Sequence, residues 1–584
     1  MEGADADGSH GAPRVQFLQP RLQLMHLARF ASSALALSFL AAAAGAQAVL
    51  HTVQGAATPA SAGQALVFTP DVDGDGVADF AVGSPLEAPA GFVRVHSGRD
   101  GSVLRSFEGA TPGAQFGFAL AVVNDLDGAG IADLMIGAPG TTWSHSSQGT
   151  AYVYSLETGV RWAQIFGGGT NSRMGYAVAN LGDIDGDGVD DFGAGEPGAD
   201  SGALVDNGAV VMVSGASVQF LPVVRGASSG EQFGLSLSGW GDLDGDGDDE
   251  WLVGAPFNAT FGAGAGRVAI VEGGAHSVMW SCYGGQVGEH FGLALANLGD
   301  SGGDGVLDFA VGAPEHFGSA ANQGRVARFA GLSVAPQEER LGAPGERLGR
   351  ALALCDFDGD GVGELVVGAP QHIADGPLRV GAVHVLDAHT LALRTTLVGT
   401  SSDSEFGVAL TGGVDLNGDG AQELGVGARA EFAQRGVARV FAGATPLAAT
   451  YCTAKTTSNG CTPRIRAEGC ASLSTGAGLT ARVFGATQNA PGMLFWGLAP
   501  NAAPLRGGTL CVASPLRRTP VQLASVGAAG CSGALAFTFT PAVLHAAGLT
   551  AGEQVHAQFW WRDNGFAAPN NVGLSDAVAF VVAP

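Results

Sequence analysis

Seven copies of a short acidic motif, repeated at an almost constant interval, constrain this sequence more than any other feature. Each copy is Asp-x-Asp-Gly-Asp-Gly-x-x-Asp or a close variant, and an apolar run follows it. The intervals between successive first aspartates are 54, 58, 59, 58, 56 and 59 residues. Such a period is typical of a repeat architecture, in which each copy is one unit that packs on its neighbours. The motifs begin at Asp71, Asp125, Asp183, Asp242, Asp300, Asp356 and Asp415.

The third copy, residues 183–191, shows why the motif predicts a metal site. Its positions 1, 3, 5 and 9 are carboxylates, position 6 is a glycine that permits a turn with positive φ, and position 7 can offer its backbone carbonyl. Oxygen ligands at this spacing are typical of a calcium loop. The alternative is a plain turn, since Asp and Gly favour turns in any sequence. Recurrence of the whole pattern favours the metal.

Five copies keep a full ligand set, so about five Ca2+ sites are predicted. Their candidate ligands are Asp71, Asp73, Asp75, Val77 and Asp79; Asp183, Asp185, Asp187, Val189 and Asp191; Asp242, Asp244, Asp246, Asp248 and Glu250; Asp356, Asp358, Asp360, Val362 and Glu364; and Asp415, Asn417, Asp419, Ala421 and Glu423. The second and fifth copies each lose a carboxylate, at Ala129 and Gly302, and are predicted to be weaker. Their remaining acids are Asp125, Asp127, Asp133, Asp300, Asp304 and Asp308.

The composition predicts an all-β protein. Glycine accounts for 94 of 584 residues and the apolar segments are short and alternating, which suits many strands joined by tight turns. The formal net charge is −26, but 28 of the 54 acidic residues lie inside the seven motifs, where bound cations would neutralise them. With Lys455 as the single lysine, no basic patch for nucleic acid is present.

Each repeat is expected to form four antiparallel strands. In the second copy these are residues 116–123, which include a Phe-Gly pair, then 133–137, 149–154 and 162–166. Such sheets must pack face to face, and a closed ring of seven leaves few open edges. The last copy lacks a good fourth strand, whereas residues 49–54 form a strand pattern before the first motif. We therefore expect the segment 49–54 to complete the last repeat and close the ring.

Two further signals accompany the acidic motifs and carry a family resemblance. An aromatic or large apolar residue plus Gly precedes most copies, and Gly-x-Pro or a relic of it follows each copy. The first copy departs from this pattern, with Ala62-Gly63 in place of Phe-Gly. The preceding pairs begin at Phe116, Met174, Phe233, Phe291, Leu348 and Phe406, and the following motifs begin at Gly83, Gly137, Gly195, Gly254, Gly312, Gly368 and Gly427.

These residues resemble the FG-GAP repeat of integrin α-subunit heads, over roughly residues 49–443. The resemblance implies a seven-bladed β-propeller with calcium loops on one face and ligand-binding loops on the other. The candidate binding loops are then the longer segments after Gly-x-Pro, at residues 140–148, 198–207 and 257–264. They carry Trp143, His145 and Phe261 as contact residues.

Residues 1–48 are predicted to be an N-terminal extension and a secretory signal. After Met25, a plausible alternative start, comes the apolar stretch 30–44 and then Ala46-Gln47-Ala48, the small-x-small pattern of a signal-peptidase site. Cleavage after Ala48 would leave no membrane span and would release the protein to the cell exterior or surface. A retained anchor over residues 30–50 is the alternative, because that stretch is uncharged and long enough to span a bilayer.

After a linker at residues 444–450, the segment 451–584 is expected to form a small disulfide-bonded β-sandwich-like domain. It resembles a C-terminal module of large secreted bacterial proteins, which implies export. The preferred disulfides are Cys452–Cys461 and Cys511–Cys531, although spacing does not determine connectivity. Cys282 and Cys355 lie in strand patterns of the repeats and are expected to be buried free thiols.

No catalytic motif stands in a suitable context. Gly226-Ala-Ser228-Ser-Gly230 fits G-x-S-x-G, but it aligns with a linker before the next Phe-Gly pair, not with a strand-to-helix turn. The favoured function is a non-catalytic, calcium-binding module for an extracellular protein or polysaccharide ligand, as in adhesion. The alternatives are an extracellular hydrolase or lyase with a composite site opposite the calcium loops, and a purely structural cell-surface protein.

Overall fold

The computed structural model describes residues 48–373, 378–418, 420–443, 448–452, 454–468, 471, 473, 478–525, 533–550 and 553–582. Within these ranges the chain is built almost wholly from antiparallel strands, which confirms the all-β prediction. The predicted signal segment lies outside them, except for Ala48. No helix in the described part of the chain is both long and apolar enough to cross a lipid bilayer.

The described strands up to Phe441 form seven four-stranded sheets, the blades of the predicted β-propeller. The first strand is β1 (Val49–Gln54). Blade 1 contains β2 (Ala65–Thr69), β3 (Asp79–Ser84), β4 (Phe92–His96) and β5 (Val103–Glu108); blade 2 contains β6 (Ala119–Val123), β7 (Asp133–Ala138), β8 (Thr150–Tyr154) and β9 (Arg161–Phe166). Blade 3 contains β10 (Val178–Gly182), β11 (Asp191–Glu196), β12 (Ala209–Val213) and β13 (Val224–Arg225); blade 4 contains β14 (Ser236–Gly241), β15 (Glu250–Ala255), β16 (Arg267–Glu272) and β17 (Ser277–Tyr283). Blade 5 contains β18 (Ala294–Gly299), β19 (Asp308–Ala313), β20 (Arg325–Ala330) and β21 (Glu338–Leu341); blade 6 contains β22 (Leu352–Cys355), β23 (Glu364–Ala369), β24 (Ala382–Asp387) and β25 (Leu393–Val398).

Blade 7 closes the ring with the first strand of the chain. It contains β26 (Phe406–Val414), β27 (Glu423–Ala428) and β28 (Val437–Phe441), with the short α1 (Glu431–Gln434) between the last two. The sheet order is β1-β28-β27-β26, and the register pairs Val49 with Phe441 and Gln54 with Val437. The predicted closure by residues 49–54 is therefore confirmed.

The Phe-Gly pairs lie differently from the prediction. In blade 2 the pair was placed inside the first strand, but β6 begins after it, and in most blades the pair forms a parallel bridge to the previous blade instead. Its glycine sits against the glycine of Gly-x-Pro: a Cβ added to Gly137 would lie 2.0 Å from the carbonyl oxygen of Gly175. Two glycines approach each other equally closely where blade 7 meets blade 1: a Cβ added to Gly427 would lie 2.0 Å from the carbonyl oxygen of Gly63. The two motifs are thus the two sides of each inter-blade contact.

Apolar side chains fill the space between adjacent blades. Phe116, for example, is fully buried in a cluster that also contains Val93 of blade 1 and Leu134 of blade 2. The closing strand also packs on blade 1, where His51 of β1 stacks on Phe80 with ring centroids 5.5 Å apart. Ala62, which stands where later copies have a larger side chain, lies in the same hydrophobic cluster as Phe80 and Val440.

The C-terminal segment forms separate sheets. Its strands are β29 (Ala448–Tyr451), β30 (Arg464–Glu468), β31 (Leu479–Ala486), β32 (Pro491–Gly497), β33 (Pro500–Leu505), β34 (Gly508–Val512), β35 (Arg517–Arg518), β36 (Gln522–Leu523), β37 (Gly533–Phe539), β38 (Gln554–Arg562) and β39 (Val572–Val581), with α2 (Pro541–Ala546) after β37. One sheet has the order β29-β39-β38-β32-β35, with β36 also on β32; a second is β30-β31-β37, and β33 pairs with β34. The first two sheets share one hydrophobic cluster, as in a sandwich. Residues 448–450, placed in the linker by the prediction, belong to β29.

The predicted disulfide pairing is wrong. Cys452 is bonded to Cys511, 59 residues away in sequence, which excludes both preferred pairs. Cys461 is itself disulfide-bonded, and Cys531 lies outside the described residues. Residues close in sequence were preferred, whereas the fold brings the segment after β29 beside β34. The prediction for Cys282 and Cys355 is confirmed, since both are free and buried.

Candidate metal loops and the opposite loops

Strand direction sorts the connections of each blade onto two ends. In an antiparallel sheet, the connection between strands 1 and 2 and that between strands 3 and 4 lie at one end, and the other two connections lie at the opposite end. The acidic motifs are the first kind of connection, and the segments after Gly-x-Pro are the second. We call these the acidic end and the opposite end.

The third acidic loop shows the geometry in detail. Asp183 accepts hydrogen bonds from the backbone N–H of Asp187 at 3.0 Å and of Gly188 at 2.8 Å. Asp187 accepts one from the N–H of Val189 at 3.0 Å. The backbone is thus wrapped around the first carboxylate, and Asp185 and Asp191 each offer an oxygen within 4.8 Å of one on Asp183.

The wrapping is the same in all seven loops. The position 1 aspartate accepts from the N–H of the position 6 glycine in every copy, at distances between 2.7 and 3.2 Å. At position 7, the N–H groups of Val77, Val189 and Val362 donate to the position 5 carboxylate. The predicted use of the position 7 carbonyls as ligands, including that of Ala421, stays a prediction.

The position 9 carboxylates have a second role that the sequence analysis missed. They are buried, and six of them accept from the N–H of position 2. Asp191 accepts from Ile184 at 3.0 Å and also from Gly215, in the turn after β12, at 2.8 Å. Asp191 therefore ties the third acidic loop to the turn after β12 in its own blade.

Burial and mutual repulsion raise the pKa of several loop carboxyls. Burial raises the pKa of Asp191 to about 7 and that of Asp133 to about 6. For Glu364, burial together with repulsion from Asp358 and Asp360 raises the pKa to about 9. Conversely, the N–H of Gly76 is the main cause of a lowered pKa at Asp71. A bound cation would favour the charged form of every group in such a cluster.

The donor sets fit a hard cation. In loops 1 to 4, three carboxylates offer oxygens that all lie within 4.8 Å of one another: Asp71, Asp73 and Asp79; Asp125, Asp127 and Asp133; Asp183, Asp185 and Asp191; Asp242, Asp244 and Asp246. In addition, one oxygen each of Asp185, Asp356 and Asp358 is buried and accepts no hydrogen bond from the described residues. Oxygens converging in this way are ligands that Ca2+ prefers, and the ion would neutralise the clustered charge and hold the loop.

The acidic loops differ in the arginine and amide side chains that contact their carboxylates. In the fifth loop, the guanidinium of Arg328 donates to the buried carboxylate of Asp308 at 3.0 Å. In the first loop, Arg99 pairs with Asp75 at 2.6 Å. In the seventh, the side-chain amide of Asn417 donates to Glu423 at 2.7 Å, and Asp419 lies outside the described residues. Loops 3 and 4 have no such arginine pair among the described residues.

At the opposite end, the predicted contact residues are exposed. Trp143 is 51% exposed and meets Phe166 edge-to-face at 6.1 Å. Together with His145 and Gln148 they line an open cavity of about 380 Å3. In blade 4, Phe261 is 63% exposed and contacts Tyr283 in the same edge-to-face manner. Aromatic surfaces beside polar groups are suitable for recognition, whereas the segment 198–207 contributes no exposed aromatic side chain.

The structure also brings together histidine and glutamate side chains at the opposite end. His316 contacts Glu289, and His372 contacts both Glu346 and, edge-to-face, His384. Glu346 and His384 were missed because they lie at different positions of the repeat. A position-by-position alignment of the copies, which places His384 in a column that holds Arg94 in blade 1 and Arg439 in blade 7, would have pointed to them.

The G-x-S-x-G segment is a turn in the structure. The N–H of Ser228 donates to the carboxylate of Glu231 at 2.9 Å, and β14 follows where a nucleophile elbow would require a helix. The segment therefore has the linker role that the alignment of repeats predicted.

Comparison with known proteins supports the repeat assignment. A family model described as FG-GAP repeat matches residues 62–96, 116–154 and 348–386. The chain is 36% identical over 222 residues to integrin alpha-PS2 of Drosophila melanogaster, which covers 34% of this chain and 15% of that protein. It is 32% identical over 198 residues to integrin alpha-V of Gallus gallus, covering 32% and 19%, and 33% identical over 198 residues to integrin alpha-5 of Xenopus laevis, covering 31% and 18%. The alignments thus span less than a fifth of each relative. On these matches and on its seven blades, the chain carries FG-GAP repeats and resembles integrin α subunits over the aligned residues.

Proposed function

We propose that this protein is an exported, calcium-loaded β-propeller that binds an extracellular protein or polysaccharide ligand without catalysis. The observation that carries the proposal is that the two ends of the blades have different kinds of loops. One end repeats a carboxylate loop suited to Ca2+, and the other presents exposed aromatic residues on loops that differ from blade to blade.

In this proposal calcium binds at the acidic end of the blades and the ligand binds at the opposite end. An ion in each acidic loop neutralises the carboxylates and fixes the connection between the first two strands of a blade. The same strands lead to the opposite end, so rigid blades hold the loops around Trp143 and Phe261 in place. Export follows from the predicted signal at residues 1–48 and places the loops where calcium is millimolar.

Binding at the opposite end can be tested with an array of immobilised glycans and extracellular matrix proteins, in calcium and after chelation. Trp143→Ala and Phe261→Ala should each weaken binding of any ligand found on the wild type. Phe220→Ala is the matched control: Phe220 is 67% exposed but lies in the connection between β12 and β13, at the acidic end. Equal loss in all three variants, or binding that none of them alters, would contradict the proposal.

A further inference from the structure

We propose that Glu346, His372 and His384 form a binding site for one divalent transition-metal ion of the zinc class. The site lies in blade 6 at the opposite end, away from the acidic loops. Glu346 precedes β22, His372 follows β23 and His384 lies within β24. The inference is independent of the calcium sites and of the ligand proposed above.

Three donor atoms converge on one point. Glu346 Oε1 lies 2.7 Å from Nδ1 of His372 and 2.6 Å from Nε2 of His384, and the three ligand atoms all lie within 4.8 Å of one another. Two imidazoles and one carboxylate are a known ligand set for Zn2+ that leaves a fourth position open. With metal–ligand bonds of about 2.0 to 2.2 Å, tetrahedral donors stand roughly 3.3 Å apart, so the two short separations need to open by less than about 1 Å.

The donors are held by further hydrogen bonds of the kind that orient metal ligands. Nδ1 of His384 lies 3.1 Å from the hydroxyl of Thr396, which leaves Nε2 directed at Glu346. The second carboxylate oxygen of Glu346 accepts from the N–H of Ala343. Glu346 and His384 are nearly fully buried, and His372 is partly exposed. Such partners fix the ring orientation and typically contribute 10-fold to 100-fold to metal affinity.

Comparison with the two preceding blades shows what is special about blade 6. Glu231 and Glu289 occupy the position of Glu346, and each faces an arginine at the start of the third strand: Arg267 at 3.6 Å and Arg325 at 3.5 Å. In blade 6 the equivalent residue is Ala382. Among the described residues, no lysine or arginine pairs with Glu346, so two histidines replace a permanent cation.

This replacement suits a metal ion. A guanidinium has no lone pair to offer and excludes a second cation, whereas an imidazole can be neutral and then coordinates a metal. A buried carboxylate needs a positive partner, and a bound Zn2+ supplies it. The alternative is a hydrogen-bonded triad with no ion, and the experiment must separate the two.

The test uses the full-length protein, stripped of metals, then saturated with calcium and titrated with Zn2+ and, separately, with Co2+ as a spectroscopic probe. His372→Gln keeps a hydrogen-bond donor near Glu346 but removes the imidazole ligand, so it distinguishes coordination from hydrogen bonding. His316→Gln is the matched control, because His316 holds the same position in blade 5 beside Arg325. Bound metal is counted by native mass spectrometry, and melting in calcium alone checks that each variant is folded.

The wild type should retain one more Zn2+ than His372→Gln and should show a visible Co2+ absorption band that Zn2+ displaces. His316→Gln should match the wild type in both, and Thr396→Val should weaken Zn2+ binding about 10-fold. Any zinc bound by the acidic loops should be the same in all variants, so it does not affect the difference in zinc count between the wild type and His372→Gln. Equal zinc counts in the wild type and His372→Gln would overturn the proposal, as would a loss of the ion in His316→Gln.

Discussion

The acidic loops and the loops at the opposite end are joined by the same strands, yet they differ in how far they repeat. At the acidic end, all seven position 1 aspartates accept the same backbone hydrogen bond. At the opposite end, equivalent positions hold Asn258, His316 and His372 in successive blades. A uniform pattern indicates one shared task, while variation on a constant frame allows each blade a separate contact. The predictions below test this contrast in order of expected effect.

The largest effect should come from removing the frame that both ends share. A chain that starts after Gln54 lacks β1 and leaves the edge of β28 unpaired. At about 1 kcal/mol for each of some five lost backbone hydrogen bonds, we expect a loss of about 5 kcal/mol and aggregation through the open edge. Chemical denaturation and light scattering measure both. A chain that starts at Ala48 is the control, and identical behaviour of the two would refute closure by β1.

A smaller effect distinguishes two carboxylates of one acidic loop. Asp191→Ala deprives the N–H groups of Ile184 and Gly215 of their buried acceptor, so it should destabilise the calcium-free protein by about 3 kcal/mol. Asp187→Ala removes a more exposed carboxylate and should change the calcium-free stability by less than about 0.5 kcal/mol.

Urea denaturation in chelator compares these two variants, and both should lose the ion of loop 3. If Asp187→Ala is as destabilising as Asp191→Ala without calcium, then position 9 has no anchoring role of its own.

Calcium itself should stabilise the acidic end in proportion to the number of filled loops. Because the ion binds the folded loop and not the open chain, each site contributes RT ln(1 + [Ca]/Kd), about 1.4 kcal/mol at tenfold excess over Kd. Millimolar calcium should therefore raise the melting temperature, and chelation should lower it. Differential scanning calorimetry, with magnesium as the control ion, measures this shift in melting temperature. A melting temperature that does not change on chelation would indicate that the acidic loops are turns without bound calcium.

A small effect on stability is also expected at the opposite end. Trp143 and Phe261 are more than half exposed, so Trp143→Ala and Phe261→Ala should each cost less than about 1 kcal/mol. Their calcium stabilisation should equal that of the wild type, because neither residue touches an acidic loop. Melting curves with and without calcium provide the check. A variant that changed the calcium response would show that the two ends are coupled more closely than the contrast allows.

The repeated part of the molecule could be predicted from sequence because the acidic motif occurs seven times at a nearly constant interval. The period identified the blades, and the missing fourth strand of the last copy identified residues 49–54 as the closing strand. The anchoring role of Asp191 could not be read from the motif, because its partner Gly215 lies in a turn 24 residues later. The disulfide of Cys452 depends on contacts between strands distant in sequence. The Glu346 cluster depends on which positions of different strands meet at one end of a blade, and periodicity alone does not show this.

Counting the calcium ions tests the central claim most directly. Native mass spectrometry of the calcium-loaded protein should show about five ions, as predicted from the five complete loops. Asp187→Ala and Asp360→Ala should each remove one ion, whereas Asp125→Ala, in a loop that has Ala129 at position 5, should change the count little. A protein that binds one ion or none, or a count that neither Asp187→Ala nor Asp360→Ala lowers, would show that the seven acidic loops are only turns.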